Sequence, residues 1–122
     1  MAKITLQQLT QAGACADQVS AFRHVFGDAA EVTMDNAWRA HGHFDWSAAA
    51  AKFLDLEHLL DFEDRVEEAR HAFVVGRRAL RAAYQAGGSA ATFDAAMQPL
   101  YDARDKVYAV AFTECYLAQH GH

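Results

Sequence analysis

The stretch LEHLLDFEDRVEEARHAFVVGRRALRAAYQAGG, residues 56–88, decides the fold. Within it Leu59, Phe62, Val66, Ala69, Phe73, Gly76, Leu80 and Ala83 recur at alternating spacings of three and four, with no proline between them. A helix turning once every ~3.6 residues sets that series on one narrow stripe, and the stripe leaves water only when a partner helix covers it. Asp55 offers a carboxylate to the first turn, and Gly87-Gly88 breaks the helix beyond Ala86. The sequence therefore predicts one helix over 56–86, about 45 Å long at ~1.5 Å per residue.

The partner follows directly. Phe93, Met97, Leu100, Val107, Ala111 and Phe112 lie at broadly helical spacing after Ser89 and Thr92, either of which can start the return helix. So short a connection makes the two helices antiparallel neighbours. Pro99 lacks an amide hydrogen, so a kink is expected there, or a break with one helix ending near Met97 and another running from Pro99 to about Gln119.

Ahead of the hairpin, capping signals divide the chain into short helices. Thr5-x-x-Gln8 has the form of a capping box, which starts a helix at Leu6, and Gly13 ends it. A second helix sets Cys15, Val19, Phe22 and Phe26 on one face before Gly27. Thr33 caps a third, expected to bury Met34, Ala37 and Trp38 before Gly42, and Asp45 caps a fourth with Trp46, Ala49, Ala50 and Phe53 inward. No segment alternates apolar and polar residues for long, so no sheet is expected. The expected architecture is all-α and a single domain: an antiparallel two-long-helix hairpin (55–119) packed with three or four short N-terminal helices (1–54).

Composition narrows the function classes. Apolar residues make up 52% of the 122, enough for a real core. The net charge of −5 repels phosphates, so direct nucleic-acid binding is not expected. Cys15 and Cys115 are too few for a disulfide framework, and both are read as reduced and buried. Met1-Ala2-Lys3-Ile4 opens no signal peptide, and no apolar run reaches the ~18 residues of a membrane span, so a cytoplasmic protein is expected.

Charge is patterned on the back of the long helix. Glu57, Asp61, Asp64 and Glu68 lie four and three residues apart opposite the seam, leading to His71, with Glu63 and Glu67 beside them and Arg65 and Arg70 diluting the field. Such a ridge suits a basic groove, where charge complementarity speeds encounter; a solvated helix face that favours the helix dipole accounts for the same residues without any function. Val75 falls on this polar side and, with Leu56 and Leu60, forms a candidate exposed apolar patch. The candidate interaction residues are thus Glu57, Asp61, Asp64, Glu67, Glu68 and Val75. Arg77, Arg78 and Arg81 complement the C-terminal end of the dipole and have Asp94, Asp102 and Asp105 on the returning segment as available partners.

No catalytic constellation emerges. Glu68-x-x-His71 and Asp55-x-x-His58 each echo half of a carboxylate-bridged di-metal motif, but both sit on one helix, and the first points away from the seam. The pairs His41-Gly42-His43 and His120-Gly121-His122 lie at helix ends, where imidazoles can satisfy final carbonyls. Cys15 and His24 are nine residues apart, about 13 Å along a helix axis, too far for a nucleophile and its base. Neither a catalytic residue nor a metal ligand nor a cofactor is assigned.

One stretch carries a likeness. Leu9-Thr10-Gln11-Ala12-Gly13-Ala14-Cys15-Ala16, continuing to Phe22, resembles a module at the start of many small phage and prophage proteins, in which Leu-x3-Gly/Asn-Ala-Cys precedes a polar residue and an apolar helix. Phe26-Gly27-Asp28 with Val32-Thr33, Phe44 to Ala49, and Ala111 to Leu117 are similar to the same group; the likeness covers the first ~60 residues and that final segment. The resemblance implies origin in a mobile element, where short acidic proteins are often inhibitors of host systems. Anti-CRISPR proteins belong to that class and are typically small, cytoplasmic and non-enzymatic. It implies a setting and no functional residue. The preferred expectation is a non-enzymatic inhibitor that binds a host protein or nucleoprotein complex through the acidic ridge. The alternatives are a homodimeric or larger self-assembling helical module and, third, a small metal-binding protein.

Overall fold

The structure, a computed structural model, describes residues 2–121. In chain order it contains β1 (Lys3–Thr5), α1 (Leu6–Gln11), α2 (Ala16–Phe26), β2 (Ala29–Glu31), α3 (Met34–Ala40), α4 (Trp46–Phe53), α5 (Leu56–Gln85) and α6 (Ala90–Gln119). The fold is all-α, with the two long helices packed together.

Local chemistry sets the boundaries. Thr5 and Gln8 form a reciprocal capping box at α1, and Thr33, Asp45, Asp55 and Ser89 each accept an amide hydrogen bond at the start of α3, α4, α5 and α6. Gly13, Gly27 and Gly87 take positive φ just beyond α1, α2 and α5, where a side chain would be strained.

The core forms where the base of the hairpin meets the short helices. Phe62, Val66 and Cys115 are fully buried, joined by Tyr108, Ala111, Phe112 and Tyr116 of α6 and by Ile4, Leu9, Phe22, Ala50 and Leu54 of the cap. Helices α3 and α4 pack chiefly on α6. Further along, Gly76 lets α6 approach: a Cβ there would lie 2.9 Å from Leu100 Cδ2. The seam opens as it leaves the cap, with Phe73 buried, Leu80 half-buried and Ala83 exposed.

Four expectations need correction. A two-stranded antiparallel sheet pairs Lys3 with Glu31, Ile4 with Ala30 and Thr5 with Ala29. Strands of three residues are too short for alternation to register, yet this pair ties the first residues to the α2–α3 connection and buries Ile4. Of the two outcomes expected at Pro99, the break is the one overturned: α6 runs from Ala90 to Gln119 with Pro99 inside it. The cost is one lost bond to the carbonyl of Ala95, and it is borne on an exposed stretch while Met97 and Leu100 keep their packing on either side. Trp38 is 54% exposed, with the Lys106 ammonium 5.6 Å from its ring centroid; α3 instead buries Ala37 and Ala40. Cys15 is exposed, at the N-cap of α2, whereas Cys115 is buried.

Candidate functional site: the outer face of α5

Because Phe62, Val66 and Phe73 turn inward, the residues half a turn away are forced into water. Glu57, Asp64, Glu67, Glu68 and His71 are all exposed. Leu56 (71% exposed), Leu60 (56%) and Val75 (51%) share that side of the helix. The four carboxylates from Glu57 to Glu68 span about 16 Å along the axis. None of the four makes an ion pair among the described residues.

Asp61 behaves differently. It is half-buried, accepts a hydrogen bond from Arg65 Nε at 3.1 Å, and receives the Cys115 thiol at 3.6 Å. The Arg65 guanidinium holds its carboxyl below the ordinary carboxylate range. Arg65 also reaches across to Glu114, so Asp61 belongs to a strap between α5 and α6 and not to the free ridge. Glu63 is likewise occupied, by Arg70 at 2.7 Å, which in turn donates to the Tyr108 hydroxyl at 3.2 Å. The structure thus leaves Glu57, Asp64, Glu67, Glu68 and Val75 together on the wet face and draws Asp61 to its edge.

The far half of α5 has the opposite sign. Its charged residues beyond Glu68 are Arg70, Arg77, Arg78 and Arg81. Among the described residues the last three form no ion pair with Asp94, Asp102 or Asp105: Asp102 bonds His41 and Lys106, Asp105 bonds Arg104, and the Arg77 guanidinium lies 5.7 Å from the Phe73 ring centroid. Arg78 and Arg81 are exposed. The helix therefore runs from acidic to basic, the arrangement that complements its own dipole.

The remaining candidates resolve into structural roles. Asp55 Oδ1 accepts from the His58 amide at 2.9 Å and meets His58 Nδ1 at 2.7 Å, so this motif is a helix cap. His41 Nδ1 lies 2.6 Å from the Trp38 carbonyl, the helix-end role foreseen for it, and its Nε2 lies 2.6 Å from Asp102. The Asp102 carboxylate raises the His41 pKa above the ordinary 6.5, because the imidazolium donates from both nitrogens. His122 lies outside the described residues. Burial pushes the Cys115 thiol up to about 11, so it stays protonated and donates to Asp61 instead of acting as a nucleophile. Among the described residues no cluster of three or more His, Cys, Asp or Glu side chains is arranged to hold a metal ion, and no helix is long and apolar enough to cross a membrane.

Sequence reasoning missed the cross-hairpin strap. The i,i+4 spacing of Asp61 and Arg65 was readable; the contribution of Glu114 depends on the register between two helices, which spacing along one chain does not encode. Comparison with protein families, curated proteins and solved structures finds no match to this chain.

Proposed function

We propose that this chain is a non-enzymatic binding protein that lays the outer face of α5 on a basic surface of another protein or nucleoprotein complex. In the setting its N-terminal segment resembles, that makes it a phage-derived, anti-CRISPR-like inhibitor acting in the cytoplasm of a bacterial host. The observation that carries this reading is the coincidence, on one wet helix face, of Glu57, Asp64, Glu67 and Glu68 without intramolecular ion pairs among the described residues and of exposed Leu56 and Leu60. The carboxylates speed encounter with a basic partner and disfavour wrong registers, while desolvation of the leucines supplies affinity. A variant carrying Lys at 57, 64, 67 and 68 tests it directly. Association with a basic effector complex should slow by about 10- to 1,000-fold at low salt, and an unchanged rate would remove this face from the mechanism.

A second reading is favoured by the charge polarity of α5, which is complementary to itself when a second copy runs antiparallel. With a two-fold axis at His71, Asp64 and Arg78 stand seven residues either side and face each other across the pair. Light scattering at high concentration separates the readings, because a strict monomer ends the homodimer. A dimer lost in Arg78→Glu and restored by adding Asp64→Arg would establish it.

A further inference from the structure

Away from α5, the short helices frame a half-open cavity of about 300 Å³ between α2, β2, α3, α4 and α6. Its walls include Phe22, Phe26, Phe44, Trp46, Phe53 and Phe112. Four of these rings form a continuous chain: Phe26 stacks on Phe44 with centroids 5.9 Å apart and planes 9° from parallel, Phe44 meets Trp46 edge-on at 5.8 Å, and Trp46 meets Phe112 at 5.7 Å. Nothing in the sequence pattern alone announced this, since the rings come from separate elements and, for Phe44, from the α3–α4 connection.

The polar groups of the wall are occupied by one another. The Thr33 hydroxyl accepts the Asn36 amide at 3.2 Å, and the Asn36 side chain donates to the Glu31 carbonyl at 2.8 Å. Asp45 donates its amide to Gln18 at 2.9 Å and accepts that of Ala48 at 3.1 Å, while the Trp46 indole donates to the His41 carbonyl at 3.0 Å. Few donors or acceptors are left to reward a polar guest, and the charged rim residues Glu31, Asp45 and Lys52 are exposed to water. An ion drawn inside would lose hydration without gaining a partner. An apolar cavity of ~150 Å³ holds one benzene ring, so twice that volume suits two fused rings, and a wall of aromatic faces and edges favours an aromatic guest.

We propose that this cavity is a binding site for an uncharged, planar aromatic small molecule of about two rings. It is separate from the α5 face and independent of what that face binds. Cys15 sits on its rim and is exposed, whereas Cys115 is buried, so one thiol reports on occupancy.

The neutral naphthalene dye prodan is the probe. Saturable binding of one dye per chain, with blue-shifted emission, is expected for the natural chain. The Ala49→Phe variant fills the cavity from α4 and should weaken binding at least ~10-fold, while Leu56→Lys with Leu60→Lys should leave it unchanged. In case Ala49→Phe does not fold, the unaltered protein supplies a second readout: saturating prodan should slow reaction of Cys15 with a bulky maleimide several-fold. The proposal is overturned by the absence of saturable binding, by undiminished binding in folded Ala49→Phe, or by unaltered Cys15 reactivity under saturating dye. Protection of Cys15 by a protein partner, with no dye binding, would also overturn it and make the cavity a socket for a partner's side chain.

Discussion

The base of the hairpin and its tip are built from the same apolar series and reach different ends. At the base, Phe62 and Val66 are fully buried because α5 and α6 meet beneath the cap. At the tip, every residue from Arg81 to Thr92 is exposed; the Tyr84–Phe93 ring pair at 5.6 Å joins the helices there, and the Gly76–Leu100 approach joins them further toward the base. A two-helix layer covers one stripe of each helix and no more, so spacing decides which residues face the partner while the number of layers decides whether they leave water. The gradient also separates charge: the well-buried base presents the acidic half of α5, and the thinly covered arm presents the basic half.

The sharpest way to break the comparison is Phe62→Ala, which should cost about 3–5 kcal/mol in urea unfolding; a loss below ~1 kcal/mol would mean that the base is not the stability centre. Asp45→Ala removes the cap of α4 and loosens the cap layer, with an expected cost of about 1 kcal/mol, read from the same unfolding midpoints. Phe93→Ala at the tip should cost about 0.5–1 kcal/mol, the scale of one aromatic pair, and a loss equal to that of Phe62→Ala would abolish the distinction between the two ends. The smallest effect concerns the His41–Asp102 bond between the α3–α4 turn and α6. His41 has a raised pKa, so its contribution is full below pH 6.5 and fades as pH rises through the folded value; Asp102 has a lowered pKa, so its contribution holds above pH 3.8 and fades as pH falls through its own folded value. Thermal scans should therefore show a modest loss of Tm as pH rises from 6.5 through the folded value of His41, a loss that Asp102→Asn removes. An identical pH profile in that variant would leave the bond without energetic weight.

Much of this fold was legible in the chain because helix ends are written locally. Thr5 with Gln8, Thr33, Asp45 and Asp55 cap the helices they were expected to cap, and of Ser89 and Thr92 it is Ser89 that starts α6. Failures came where a distant segment decides. Trp38 is the largest apolar side chain of its helix, yet the small side chains of Ala37 and Ala40 turn toward α6, and the indole is left outside under Lys106. Pro99 breaks an isolated helix; here packing at Met97 and Leu100 outweighs one missing bond. The sheet is two three-residue strands whose pairing spans more than twenty intervening residues, below the reach of any periodicity. On the candidate face, the exposed positions were readable from the seam, but the recruitment of Asp61 into the strap with Cys115, Arg65 and Glu114 required the register of α6.

The cap leans on α6 and also holds the chain's beginning: the Tyr116 hydroxyl donates to the Lys3 carbonyl at 3.3 Å, and the Gln119 side chain donates to the Phe53 carbonyl at 3.0 Å. A ribosome releases residues in the opposite order, so the greasy sides of α2 and α4 emerge long before the helix that shelters them. Assembly of the cap must therefore wait for the thirty residues of α6, and a nascent chain stalled within that helix is a natural client for chaperones.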